Sequence, residues 1–425
     1  GLQTNTRVAL YSRSCCRRGK LCSCLSGVVL AYGYINMNET DSQAGNHASQ
    51  SEGGIKRNVS WSDSVVMSHK LCRQVSIESP SARSNVFTFD VPIPDVPKEG
   101  ARVKVICAGV CYRRRDSTIS SDVIRGGAGS CQGFRDAALF PGYEVSGVID
   151  ELGPEADPKS EFRVGDKVIV YPDELIPHGY AEYTVVPELN DLVKVPDNVP
   201  MPVAAMLPTG ALWAMNAVHA AKVHVDKFQK ESGPDKKVKI LIVGTGGLAL
   251  WAIRFAKHSF LEEHFNVEIV AAVLKDEGLS MAEEGESIKV VHWSEDLYEK
   301  QLIERTRLEC KGDVDIVIDF GTTVRTLLRS LQCLAKGGVV LIGTETSNIL
   351  IRKFTKQIES NSQTIQAIEI GSQEQLKELM DLVSTGKIIP PPYEVFPADQ
   401  ASNVMKKVVR SELKGRAILQ FGELE

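Results

Sequence analysis

A run of small residues offers the plainest chemistry in this sequence. Lys239-Ile-Leu-Ile-Val243 leads into Gly244-Thr245-Gly246-Gly247-Leu248-Ala249, which is G-x-G-x-x-A after an apolar strand-like stretch. The first glycine allows a tight turn, the second lets backbone come close to a pyrophosphate, and the small last position lets a helix pack on the strand. The phosphates would then lie on a helix N-terminus, where unpaired N–H groups favour anions. A lone motif of this kind is weak. Here it follows a buried-strand pattern and opens a helical one, so the expectation is dinucleotide binding, with a vacant glycine turn as the bland alternative.

The next expected strand, Val267 to Leu274, ends without the acidic residue that an NAD site usually places on the ribose hydroxyls, and Lys275 follows at once. A neutral end followed by a cation suits a 2′-phosphate, so NADP is favoured and NAD remains open through Asp276 after a small register shift.

The elements needed to carry such a loop are legible nearby. Val86–Val91, Arg102–Ile106, Val145–Ile149, Lys167–Tyr171 and Tyr180–Val186 read as short strands separated by Gly and Pro turn signals, an all-β, barrel-like pattern. From about 203 the period changes. Helices over 203–221, 247–260, 295–308, 323–335 and 373–386 alternate with strands Val238–Val243, Val267–Leu274, Val314–Asp319 and Gly338–Ile342. Such alternation predicts a parallel, doubly wound α/β sheet. After it come Tyr393–Phe396, a helix near 398–411, and Arg416–Phe421, a final strand able to return to the β-rich part.

The composition fits a globular chain: 425 residues, 43% hydrophobic and 24% charged, with a formal net charge of −5. That length predicts two or three domains, and the acidic balance disfavours a nucleic-acid binder. The ten cysteines include no C-x-x-C pair, which disfavours a structural zinc knot. Residues 1–67 read as a tail. Its first 38 residues carry Arg7, Arg13, Arg17, Arg18 and Lys20 and no acidic residue, a pattern shared by mitochondrial transit segments and signal peptides. Non-native sequence ahead of a start at Met37 or Met67 is the third reading. The expectation is a cytoplasmic protein, or a mitochondrial one if the tail is a transit segment.

Several short motifs from about 70 to 425 occur in a telling order: Gly109-Val110-Cys111, Pro141-Gly142-Tyr143-Glu144-Val145-Ser146-Gly147, Gly165-Asp166-Lys167-Val168, Gly179-Tyr180-Ala181-Glu182-Tyr183, the glycine loop, and Gly415-Arg416-Ala417. In this order the chain resembles the medium-chain dehydrogenase/reductase superfamily, which includes zinc alcohol dehydrogenases and quinone oxidoreductases. The resemblance implies a GroES-like β-rich catalytic domain over 68–205 with 388–425, and a Rossmann domain over 206–387. It also implies cofactor contacts at Thr209, Gly244, Thr245, Gly246, Gly247, Leu248, Lys275, Gly343, Thr344 and Gly371.

The zinc-dependent branch of that superfamily binds its catalytic metal with a Cys, a His and usually a second Cys. Cys111 holds the first place, but Tyr143 stands for the His and Thr209 for the second Cys, and the lobe that carries a structural zinc is missing between Tyr171 and Gly179. One ligand of three suits zinc poorly, so the expectation is no metal. Without it, charge on a reducing carbonyl needs another donor. Tyr143 and Tyr112, with Arg113 nearby, are the candidate catalytic residues, and packing plugs are the bland alternative for both tyrosines. The functional expectation is a zinc-independent, NAD(P)H-dependent oxidoreductase acting on an activated C=C, a quinone or a carbonyl. A non-catalytic dinucleotide-binding sensor or scaffold, and more distantly a zinc alcohol dehydrogenase with atypical ligands, are the alternatives. The expected assembly is a homodimer joined through a strand near Asn348–Arg352, with a small-molecule substrate and no nucleic-acid or membrane partner.

Overall fold

The structure is a computed structural model that describes residues 70–75, 88–111, 142–172, 179–274, 288–343 and 354–424, apart from 234, 245, 295, 322 and 411. Strand β1 (Leu71–Val75) pairs antiparallel with β2 (Thr88–Pro92). A larger sheet follows from β3 (Ala101–Val110), β4 (Val145–Leu152), β5 (Lys167–Val170), β6 (Tyr183–Val186) and β7 (Leu192–Lys194). Strand β3 organises it. Val103 and Val105 face the core in alternation with Arg102 and Lys104, and from Val105 to Val110 the strand is buried on both faces. Two register shifts against β4, at Arg102/Val103 and Val105/Cys107, bend β3 and curl the sheet.

The helix Met201–Ala205 and a π-type turn over Leu207–Ala211 lead into the long helix Leu212–Ser232. Strands β8 (Val238–Val243), β9 (Val267–Val273), β10 (Lys289–His292), β11 (Val314–Asp319), β12 (Leu334–Gly343) and β13 (Thr364–Ile368) then form a six-stranded sheet in the order β10-β9-β8-β11-β12-β13. All its pairings are parallel. Parallel strands need crossovers on both faces, so β8 and β11 read as almost unbroken apolar runs. The strand order reverses between β8 and β11, and at such a point a crevice opens outside the carboxyl ends of the strands.

The chain then leaves this sheet. Strands β14 (Tyr393–Pro397) and β15 (Arg416–Gln420) pair in parallel, and β15 adds antiparallel to the second half of β3, opposite Cys107–Val110. The first half of β3 pairs with β6 on the same side. The expected return of the last strand to the β-rich part is therefore present, and it brings residue 416 beside residues 107–111.

Some expectations are corrected. Strands β10 and β13 were not expected; each is short and lies at an edge of the sheet, where apolar patterning is weakest. The helix expected over 203–221 is broken by the π-type turn and runs on to Ser232, because Val225 and its apolar neighbours extend the buried stripe. The tail to residue 67 and the strand expected near Asn348–Arg352 lie outside the described residues. Among the described residues no helix is long and apolar enough to cross a membrane.

Candidate active site

Four separate segments meet at one buried corner. The end of β3 contributes Gly109 and Cys111, the entry to β4 contributes Tyr143 and Glu144, the π-type turn contributes Thr209 and Gly210, and the start of β15 contributes Arg416. Glu144 is 1% exposed and Arg416 7%. The carboxylate is fully engaged. Its Oε1 accepts the Thr209 hydroxyl at 2.6 Å and the Gly210 N–H at 3.2 Å, and its Oε2 accepts from the Arg416 guanidinium. Burial alone would lower the pKa of Arg416, but the Glu144 carboxylate and the Cys111 sulfur, to which Arg416 also donates, outweigh it and raise the pKa.

Local sequence explains this meeting. A side chain at Gly109 would meet Glu144 Oε2 at 2.1 Å, so only glycine leaves room for the carboxylate there. Gly415 adopts φ 83° and packs against the Pro392 carbonyl, which also accepts the Arg416 N–H at 2.8 Å; this turn aims the arginine inward. Tyr180 is fully buried and donates to the Gly109 carbonyl at 3.1 Å, fixing the end of β3. Burial pushes the Tyr180 phenol well above its ordinary pKa, which keeps it a neutral donor.

Arg416 also reaches the glycine loop. A Cβ at Gly247 would lie 2.1 Å from Arg416 Cδ and 3.1 Å from its Nε. That Nε is buried and has no hydrogen-bond partner among the described residues. A Cβ at Gly246 would meet nothing within 4 Å, so the space above this glycine is open. The helix Gly247–Ala256 begins here and turns its first N–H groups toward the same place. An unpaired guanidinium donor, a helix N-terminus and an open backbone make a cradle that suits a pyrophosphate. Ala249 fills the small last position, with its Cβ 3.2 Å from where a Gly244 Cβ would be.

Past the switch point the crevice has an aromatic wall. Trp213 and Phe320 meet edge to face at 5.3 Å, and the Trp213 ring lies where a Gly343 side chain would need to be. Trp213 Nε1 donates to the Ile368 carbonyl at 3.2 Å, and the Tyr171 hydroxyl donates to the Gly371 carbonyl at 2.6 Å. Below them, buried Asp319 accepts from the Gly321 N–H at 2.7 Å and the Ser330 hydroxyl at 3.1 Å, shaping the turn after β11. Burial raises its carboxyl to about 6 against the pull of these donors.

Of the expected site residues, Gly244, Gly246, Gly247 and Leu248 gather at the cradle, Thr209 at the buried corner, and Gly343 and Gly371 at the aromatic wall. Tyr143 is half-buried beside Glu144. Tyr112, Arg113, Thr245, Lys275 and Thr344 lie outside the described residues. Among the described residues no three His, Cys, Asp or Glu side chains converge as a metal site. Sequence reasoning gave no role to Tyr171, Trp213 or Asp319, and named Arg416 only within a motif. The signal for Arg416 was a cation one residue into a buried final strand, where a charge needs a partner.

Known proteins share this architecture. Residues 97–197 match the alcohol dehydrogenase GroES-like domain, and residues 296–419 match a zinc-binding dehydrogenase model. A zinc-type alcohol dehydrogenase-like protein of Schizosaccharomyces pombe is 24% identical over 307 residues, covering 67% of this chain and 82% of its own. An alcohol dehydrogenase of Geobacillus stearothermophilus is 25% identical over 308 residues, covering 66% of this chain and 83% of its own. The structure of acetophenone reductase from Geotrichum candidum in complex with NAD superimposes with a TM-score of 0.58 at 19% identity, over 83% of this chain and 98% of that one. With its GroES-like β domain and six-stranded Rossmann sheet, this chain belongs to the medium-chain, zinc-type alcohol dehydrogenase family of NAD(P)-dependent oxidoreductases.

Proposed function

We propose that this protein is a zinc-independent oxidoreductase that passes hydride from NADPH, in preference to NADH, to an activated C=C, a quinone or a carbonyl. The carrying observation is the cradle open at Gly246, with Arg416 packed over the next residue, Gly247, and its Nε unpaired among the described residues. Gly244, Gly246, Gly247 and Leu248 would hold the pyrophosphate. Thr209, Gly343 and Gly371 would contact the rest of the dinucleotide, with Thr245, Lys275 and Thr344 added from the sequence. The bound dinucleotide supplies the hydride.

The donor set of the buried corner does not fit zinc. Catalytic zinc takes three protein ligands and keeps one open position. Among the described residues Cys111 is the single thiol here, the Thr209 hydroxyl already donates its hydrogen bond to Glu144, and both Glu144 oxygens are engaged. A dication would also meet the Arg416 guanidinium, whose charge repels it. In place of a metal, we assign the Tyr143 hydroxyl to donate to the oxygen on which charge develops, with Tyr112 and Arg113 as its candidate partners. Residues 68–205 with 388–425 would form the catalytic domain and 206–387 the cofactor domain, in a homodimer.

The test is a screen of NADPH and NADH consumption against quinones, enals, enoyl thioesters and ketones, with and without a chelator. The alcohol dehydrogenase and acetophenone reductase names among similar proteins support including ketones in the first panel. Turnover that survives chelation supports the proposal. One tightly bound zinc per chain, lost in Cys111→Ala, would overturn the zinc-free part.

A further inference from the structure

A dinucleotide straddles a doubly wound sheet at its switch point, one nucleoside on each half. With the pyrophosphate at the loop after β8, the adenosine lies toward β9, where Lys275 follows the strand. The nicotinamide half would therefore be held at the carboxyl ends of β11, β12 and β13. Phe320, Gly343 and the turn Glu369–Ser372 are the ends of these strands.

One group of the curled β sheet reaches this half. Tyr171 directly follows β5, and its ring is half-buried against the core that also contains Leu207 and Leu212. Its hydroxyl donates to the Gly371 carbonyl at 2.6 Å, across 200 residues of sequence. Gly371 is itself tightly seated. It adopts φ 123°, and a Cβ there would meet Leu212 at 3.0 Å and Gln375 Oε1 at 3.1 Å. The helix Gln373–Ser384 begins immediately after it, capped by Ser372 and Gln375. The backbone turn is thus gripped on one side by its helix and on the other by Tyr171. A second link between the two sheets joins Asn198 Nδ2 to the Ser384 carbonyl at 2.7 Å. Ser384 ends a helix that runs back from the carboxyl ends of the strands, so this link lies away from the crevice.

We propose that Tyr171 is a positioning residue for the nicotinamide half of the dinucleotide: its hydroxyl holds the Gly371 carbonyl, and with it the end of β13, at the height that half needs. The inference rests on the dinucleotide reading given under Proposed function. Tyr171 itself takes no part in hydride transfer; it fixes a backbone edge against which the nicotinamide nucleotide lies.

The experiment compares intact nucleotides with fragments that lack the nicotinamide half. NADPH, NADH, 2′-phospho-ADP-ribose and ADP-ribose are titrated calorimetrically into wild type, Tyr171→Phe and Asn198→Ala. Loss of one positioning hydrogen bond should weaken the intact nucleotides about 3- to 10-fold in Tyr171→Phe and leave the fragments within about 2-fold. Fragment binding also reports the folded fraction of the same sample. If Tyr171→Phe does not fold, Tyr171→Met, which likewise removes the hydroxyl, takes its place, and the same fall in the ratio of intact to fragment affinity is expected. In Asn198→Ala that ratio should not move. Equal losses for intact nucleotides and fragments, no loss for either, or the same pattern in Asn198→Ala would each overturn the assignment while leaving dinucleotide binding in place. A wild-type protein that binds neither class would overturn the dinucleotide reading and this inference together.

Discussion

The glycine cradle and the buried corner lie at the two ends of one side chain, Arg416, and they differ in what they leave open. At the cradle, Gly246 faces open space and Arg416 Nε has no partner among the described residues. At the corner, every oxygen of Glu144 is engaged and the arginine is pinned to it. The first leaves a donor and a stretch of backbone unengaged, whereas the second has satisfied its charge internally. A site with room for a ligand and a site satisfied from within leave opposite marks: an unpaired donor beside open space in one case, saturated donors and acceptors in the other. The comparison also assigns Glu144 a task, which is to hold Arg416 in reach of Gly247.

The comparison breaks most sharply at the corner. Glu144→Ala leaves a buried guanidinium without its counter-ion, and removing one partner of such a pair costs about 3–5 kcal/mol. Urea denaturation should show a loss of that size, with dinucleotide affinity falling as Arg416 drifts from the loop. A double variant, Glu144→Leu with Arg416→Met, should regain much of the stability and none of the affinity, because stability needs only a filled corner whereas the cradle needs the charge. A double variant that keeps wild-type affinity would separate Arg416 from the cradle.

Tyr143 tests whether the corner still does chemistry. Tyr143→Phe keeps the ring and removes the hydroxyl, so stability should hold while turnover falls roughly 10- to 1,000-fold, the range for one lost donor. Nucleotide affinity should not change. An unaltered kcat would make Tyr143 a packing residue, with a stability loss expected only in Tyr143→Ala through the cavity left behind.

How much of this was legible follows from how far apart the cooperating residues lie. The cradle was readable because its glycines are contiguous and its strand and helix flank it directly. The turn after β13 and the strand β13 itself were not, since Thr364-Ile-Gln-Ala-Ile368 offers too short an alternation to stand out from a loop. The sequence suggests Tyr143 and Thr209 at the places where the zinc branch carries a His and a second Cys. The pairing of Glu144 with Arg416 was not legible, because the two are 272 residues apart and meet only after β15 returns to β3. Pairings that depend on the closure of the whole chain leave no local pattern for periodicity or motif to find. Tyr171 escaped for the same reason: its partner is a backbone carbonyl, which no residue type announces.

Asp319 sharpens the comparison from beneath the crevice. Its buried carboxyl is raised to about 6 from an ordinary value of 3.8, so the native state keeps its proton where the unfolded chain has lost it. Between about pH 4 and pH 6 the native state binds more protons, so the stability contributed by this group falls as pH rises through that window and is constant above it. The native penalty at pH 7 amounts to about 2–3 kcal/mol. Asp319→Asn should flatten this part of the profile in denaturation at pH 4, 5, 6 and 7. An unchanged difference between variant and wild type across those pH values would mean Asp319 is ionised in the native state throughout.

The smallest expected effect separates two neighbouring glycines. Gly246 sits at the N-cap in extended backbone, φ −109° and ψ −172°, with free space where a Cβ would go. Alanine there adopts the same backbone, so stability should fall by no more than about 1 kcal/mol, the difference between the two residues as caps. The new methyl would stand in the open approach to the backbone, and dinucleotide affinity should fall at least about 10-fold, or about 1.4 kcal/mol. Gly247→Ala puts its methyl 2.1 Å from Arg416 Cδ, and Glu144 keeps the arginine from swinging away. Overpacking of this kind costs about 1–3 kcal/mol, partly offset by the better helix propensity of alanine, so a net loss of about 1–2 kcal/mol is expected. In the Glu144→Ala background the arginine is released, and the same Gly247→Ala change should cost little more. The two substitutions at Gly247 and Glu144 should therefore be non-additive, with a coupling of about 1 kcal/mol in a double-mutant cycle. Additive costs would mean that Arg416 yields to the methyl even while paired, and that the corner does not fix the cradle.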